Sequence, residues 1–156
     1  MHILEELNLL NNPIEYIQAY SFAELYKCCI TLRLLIDNDY IINSFQLSSL
    51  KISFLDDSLF DGALPLFDRL DLSSNQIREI RKQSFKGLSF LYELFLLNNF
   101  VSMIEEAAFA YMPRLFFLNL NNNLIAKIDK NMFINLNSLT TLNLEDNLIS
   151  EIPSFA

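Results

Sequence analysis

The sequence predicts an α/β solenoid, a right-handed arc of stacked coils. A parallel β-sheet should line its concave face, with loop, short helix or 3-10 turn on the convex side. Two observations lead there. Segments beginning at Phe67, Leu91, Leu115 and Leu139 share the pattern LxxLxLxxNxI, each start 24 residues after the last. Each of the first three segments then carries an isoleucine, a phenylalanine and a leucine-like residue at fixed offsets: Ile80, Phe85 and Leu88, then Ile104, Phe109 and Met112, then Ile128, Phe133 and Leu136. Units of that length cannot bury an apolar side alone and must stack on their neighbours. The 52% hydrophobic content supplies enough material for a continuous core.

The pattern is filled by Phe67, Leu70, Leu72, Asn75 and Ile77, then by Leu115, Leu118, Leu120, Asn123 and Ile125, and by Leu139, Leu142, Leu144, Asn147 and Ile149. The copy at Leu91 keeps Leu94, Leu96 and Asn99, with Val101 in place of isoleucine. An earlier copy holds Leu4, Leu7, Leu9, Asn12 and Ile14, followed by Ile17, Phe22 and Leu25. Between Cys29 and Leu66 the register blurs. Two shortened units fit there loosely, one through Cys29, Leu32 and Leu34, the other through Leu47, Leu50 and Ile52. Starts near 4, 29, 47, 67, 91, 115 and 139 describe a single domain, 1–156, of about seven coils, irregular over 29–66. With strands ~4.8 Å apart, the arc is on the order of 30 Å long.

Each pattern position has a physical reason. In a short strand the side chains alternate, so the leucines point inward and the variable residues line the concave face. The asparagine at the ninth position turns the chain, and its amide donates and accepts, satisfying backbone groups at a buried bend. Asn12, Asn75, Asn99, Asn123 and Asn147 are therefore expected to form a ladder. Phe22, Phe85, Phe109 and Phe133 should stack as a second spine under the convex side. With only two glycines and four prolines in the chain, Asn and Asp are expected to make the bends.

Charge and composition narrow the function. The formal net charge of −8 argues against nucleic acid and anionic membranes, since phosphate binding needs clustered Lys and Arg. Met1, His2 and Ile3 lead straight into Leu4 without a targeting sequence. Apolar positions are interrupted every second or third residue, so direct membrane insertion is not expected. His2 is the single histidine, so no catalytic triad can be assembled. Cys29 reads as a leucine substitute beside Cys28 rather than a ligand or nucleophile. Asp56 with Asp57 and Glu105 with Glu106 fit no calcium-loop pattern, and no glycine-rich loop is available to cradle phosphate. These features predict no enzyme activity, no cofactor and no metal. Arg78, Arg81, Lys82 and Lys86 cluster on one return limb, either to solubilise the convex side or to meet an acidic partner.

The outward strand positions change character along the chain. Glu6, Asn8 and Leu10, then Arg69, Asp71 and Ser73, give a mostly polar face; Glu93, Phe95 and Leu97, then Phe117, Asn119 and Asn121, are apolar in the middle; Thr141, Asn143 and Glu145 follow. Tyr92 and Phe116 flank the strands. Exposed aromatic patches mark interaction sites. Tyr92, Phe95, Leu97 and Phe117 are the expected apolar anchors of a protein-binding site, with Glu93 and Asn119 giving orientation. The competing account is that these residues pack under a flanking segment or a dimer mate, or simply reflect a Phe-rich composition.

These repeats resemble the leucine-rich repeat family, in the 24-residue form typical of animal extracellular members such as Toll-like receptor ectodomains and insect immune proteins. The resemblance spans nearly the whole chain and implies a protein ligand or co-receptor on the concave face, with homo- or heterodimers possible in the family. The pattern specifies fold closely and ligand poorly, because the outward residues are left free. Cysteine-bonded caps are missing before Leu4 and after Ile152, so the chain reads as truncated at both ends. No Asn-x-Ser/Thr signal occurs. The expected function is a non-enzymatic recognition module of a receptor ectodomain or a secreted immune or adhesion protein, at the cell surface or outside it. The alternatives are a cytoplasmic regulatory scaffold that binds an enzyme, or a gene fragment without independent function.

Overall fold

The repeat length dictates the architecture seen in the computed structural model, which describes residues 44–57, 59–61 and 68–152. Five short strands, one per coil, pair in parallel: β1 (Ser44–Gln46), β2 (Arg69–Asp71), β4 (Glu93–Phe95), β6 (Phe117–Asn119) and β7 (Thr141–Asn143). Their order in the sheet follows their order in the chain, so each coil adds one strand to the edge left by the last. The register is strict, with Leu70 opposite Leu94, Leu94 opposite Leu118, and Leu118 opposite Leu142. The coils at 67, 91, 115 and 139 therefore stack in phase. The coils read at 4 and 29 lie outside the described residues.

The coil read as starting near 47 is placed differently. Phe45 pairs with Leu70, a step of 25 rather than 24. Phe45 thus fills the template's first strand leucine, Leu47 its second, and Leu50 stands where the other coils have asparagine. Counted back, that coil starts at 42. In this register Leu47, Leu50, Ile52, Leu55 and Phe60 all fall on template positions, and all five are buried.

The return limbs pair once more. β3 (Glu79–Ile80) and β5 (Met103–Ile104) form a second, two-stranded parallel sheet. Otherwise the convex side of the described residues is turns and one 3-10 segment, Lys130–Phe133, whose N-cap Asp129 accepts from the backbone N–H of Asn131 at 2.9 Å.

The phenylalanine spine runs as a stack of near-parallel rings. Phe60 and Phe85 lie 6.4 Å apart, Phe85 and Phe109 5.9 Å, Phe109 and Phe133 5.8 Å. Phe60 extends the spine at its start; Phe22 falls outside the described residues. On the other side of the core runs the asparagine ladder. The Nδ2 of Asn99 donates to Leu72 O in the coil before and to Leu96 O in its own, both at 3.0 Å, while its Oδ1 accepts from Ile77 N at 3.1 Å. Asn123 repeats this with Leu96 O, Leu120 O and Val101 N, and Asn147 with Leu120 O, Leu144 O and Ile125 N. Asn75 takes on one bond more: with a leucine at position 50, its Oδ1 accepts from both Leu50 N and Ile52 N at 3.0 Å.

The residue before each ladder position makes the bend. Ser49, Ser74, Asn98, Asn122 and Asp146 all have φ between 53° and 59°, the left-handed region. Asn98, Asn122 and Asp146 are of the types that tolerate that region best among residues with a side chain; the two earlier bends depart from that expectation, with serine at 49 and 74.

Candidate concave binding surface

The strand pleat puts alternate residues on the concave face, and the coil register then lines them up in columns across the sheet. One column holds Arg69, Glu93, Phe117 and Thr141; the next holds Asp71, Phe95, Asn119 and Asn143. Every residue in these columns is half-buried, whereas the leucine between them on each of β2, β4 and β6 is fully buried. The expected anchors are thus brought together at the surface. Phe95 and Phe117 lie 5.2 Å apart with their rings tilted by 37°. Tyr92 and Phe116 stack at 5.2 Å and 8° just before the strands begin, 48% and 38% exposed. Leu97 and Asn119 complete the patch, half-buried.

Tyr92 and Phe116 are exposed, whereas Phe95, Leu97 and Phe117 are half-buried.

Arg69 was legible only as a polar residue of the preceding coil. Its guanidinium carbon sits 4.2 Å from the centre of the Phe95 ring, and its Nη1 lies 3.5 Å from the Glu93 carboxylate. A guanidinium over an aromatic face is attracted by the ring's negative π cloud. The arrangement fixes both Phe95 and Glu93, and it leaves the Arg69 Nε buried without a hydrogen bond. Two further caps stiffen the face. The Asp71 carboxylate accepts from Ser73 N at 2.9 Å, and the Asn119 side chain from Asn121 N at 3.0 Å.

Two of the four basic side chains on the return limb, Arg81 and Lys86, are committed within the fold. Arg81 pairs with Glu79 and lies over the Phe54 ring at 4.5 Å, and Lys86 Nζ contacts Asp61 at 2.7 Å. Glu105, which fits no calcium loop, accepts from Lys82 N at 2.8 Å. Among the described residues no three His, Cys, Asp or Glu side chains gather at metal-binding distance, and no helix is long and apolar enough to cross a membrane. His2, Asn12, Cys28 and Cys29 lie outside the described residues.

Sequence reading missed a second exposed apolar column. Phe100, Leu124 and Leu148, one per coil immediately after the ladder asparagines, are each more than 40% exposed. The signal was available, since all three share one template position.

Comparison with known proteins agrees with this geometry. The family pattern described as "Leucine rich repeat" matches residues 42–99 and again 89–149. Among solved structures, the chain is similar to one in the TLR13–ssRNA13 complex, with 28% identity over 70% of this chain and 15% of that one, TM-score 0.66. It is similar to one in the Drosophila Toll–Spatzle complex, with 28% identity over 68% of this chain and 16% of that one, TM-score 0.61. A third similarity is to the Drosophila melanogaster SNF/U2A′ complex, with 26% identity over 75% of this chain and 68% of the other, TM-score 0.61. The chain therefore spans about a sixth of the two Toll-type chains it matches. A search of curated proteins found no match. Register, ladder and the doubly matched pattern agree: this chain belongs to the leucine-rich repeat family.

Proposed function

We propose that this chain is a non-enzymatic recognition module that binds a protein ligand on its concave face, as part of a receptor ectodomain or a secreted immune or adhesion protein. The observation that carries the reading is the aromatic patch on two adjacent coils, Tyr92, Phe95, Leu97 and Phe117. It is left accessible where the template leaves the residue choice free. Glu93, held by Arg69, and Asn119 supply polar orientation at its margins. Aromatic side chains carry much of the energy of protein interfaces when water is excluded around them. The 24-residue repeat and the similarity to chains in Toll-type complexes support an extracellular or cell-surface setting. One of those complexes contains RNA, so the case against nucleic acid rests on this chain's own acidity and not on the fold.

The test is selection of binders from a displayed random peptide library on the folded chain, each binder then titrated against a variant carrying Phe95→Ser and Phe117→Ser. The expected result is loss of binding for most of them with circular dichroism unchanged. Full retention moves the site elsewhere. The setting is tested separately by the full-length transcript: a signal peptide in it supports the extracellular setting, and its absence supports the cytoplasmic one.

A further inference from the structure

The aromatic patch is bracketed by acid. Among the described residues, the concave strands, the residue before each and the three after each carry Asp68, Asp71, Glu93, Glu145 and Asp146 against one basic residue, Arg69. Arg69 is already paired with Glu93. That leaves Asp68 and Asp71 on the coil before the patch and Glu145 and Asp146 two coils beyond Phe95; Asp68, Glu145 and Asp146 are exposed, and Asp71 is half-buried with one carboxylate oxygen accepting from Ser73 N. The sheet order β2, β4, β6, β7 places acid on the outer two of these coils and the aromatics on the inner two. Glu145 is oriented by its neighbour: its backbone N–H donates to Asn121 Oδ1 at 2.9 Å, and its carboxylate accepts from Asn121 Nδ2 at 3.3 Å.

The geometry points to one kind of ligand: an extended protein segment crossing the strands, with an apolar side chain seated on Phe95 and Phe117 and a lysine or arginine on either side of it. One basic residue meets Asp68 and Asp71, the other Glu145 and Asp146. This rests on the concave face being the binding surface, and it adds the chemistry of what that surface accepts. Spacing makes it specific. From Asp71 to Glu145 is three strand separations, ~14 Å at ~4.8 Å each, and two residues along the strand, ~16 Å on the diagonal; four residues of extended chain cover ~13 Å at ~3.3 Å each, and the reach of lysine side chains makes up the difference. Alternate side chains of an extended chain share a face, so two basic residues four apart and an apolar residue midway all point at the sheet. An acidic segment meets like charge at both margins, which penalises it.

The assignment is tested by titrating two labelled synthetic peptides into the full chain and reading fluorescence anisotropy. One carries lysine, phenylalanine and lysine at alternate positions in a serine–glycine background; the other replaces both lysines with glutamate. The lysine peptide should bind at least about tenfold tighter at low salt, with the advantage shrinking as salt rises. A variant carrying Asp68→Asn, Asp71→Asn, Glu145→Gln and Asp146→Asn keeps the hydrogen-bond acceptors and should bind the two peptides about equally. Equal affinity of the two peptides for the original chain, an undiminished lysine preference in the neutralised variant, or no binding of either peptide overturns the assignment. If binders still depend on Phe95 and Phe117 in that event, the concave-face reading survives it. If they do not, that reading fails as well.

Discussion

Gly87 lies against the Phe60 carbonyl so closely that a Cβ on Gly87 would sit 2.1 Å from the oxygen. Its φ is +102°, so the conformation itself also disfavours a side chain. The contact joins the return limb of the coil at 67 to the phenylalanine of the coil before it.

Gly87→Ala should therefore destabilise the fold through both strain and clash, by about 1–3 kcal/mol from the backbone conformation alone. Thermal unfolding reads the loss. Asn135, at the same template position two coils later, also has positive φ, at 68°. Asn135→Gly should leave the melting temperature nearly unchanged, and a comparable drop in both variants would remove the contact with Phe60 as the cause.

That contact also shows where sequence reading reached its limit. The coils at 67, 91, 115 and 139 were legible because two inward leucines and an asparagine recur at fixed offsets, and the structure puts those residues in register. The coil before them was misplaced by five residues because Leu50 occupies the ladder position and Phe45 a leucine position, so the two strongest markers were missing. Phe60, at the template's phenylalanine, was the remaining signal. The β3–β5 pairing was not legible at all: a strand of two residues has no alternation to detect. The anchors Phe95 and Phe117 were legible as outward aromatics, yet Arg69 was not tied to them. Its place over Phe95 comes from the stacking of neighbouring coils, a contact between residues 26 apart in sequence that no local pattern encodes.

The ladder should be strongest where it is driest. Asn99→Leu keeps the volume but leaves Leu72 O, Leu96 O and Ile77 N without the partners that the amide provided, in a coil whose leucines are fully buried. Ile77 N is left stranded at ~1–3 kcal/mol, while Leu72 O and Leu96 O each keep one amide donor, from Asn75 and Asn123, and lose one bond apiece, so urea unfolding should show a loss of roughly 2–4 kcal/mol. Asn147→Leu removes the same set of bonds in a half-buried coil that water can reach. Its loss should be smaller, about 1 kcal/mol.

The phenylalanine spine allows a parallel comparison. Phe109 is fully buried between Phe85 and Phe133, so Phe109→Ala opens a cavity that rigid neighbours cannot close, at ~3–5 kcal/mol. Phe133 has a stacked ring on one side among the described residues and is half-buried. Phe133→Ala should cost less than half as much by the same denaturant measurement.

The Arg69–Phe95 stack should behave as a local unit. A double-mutant cycle with Arg69→Met and Phe95→Leu, followed by chemical denaturation, should return a coupling of about 0.5–1 kcal/mol. Salt should weaken the Arg69–Glu93 pair far more than this coupling, because the ion pair is about one-third exposed on both sides and is screened.

Local stability should fall from the middle of the sheet toward β7. Leu91, Leu94 and Leu96 are at most 1% exposed, with coils on both sides, whereas Leu139, Leu142 and Leu144 are only partly buried. In a solenoid each coil contacts only its neighbours, so stability is close to a sum of coil and interface terms, and the coil whose leucines are least buried opens first. Amides that bond across β6 and β7, such as Leu120 N to Asn143 O at 2.9 Å, should exchange hydrogen faster than the equivalent Leu72 N to Phe95 O at the same length between β2 and β4. Equal bond lengths remove bond length as the explanation, which leaves the burial of the packed leucines. Uniform protection across the sheet would mean that the coils unfold together, and the nearest-neighbour account of this chain would fail.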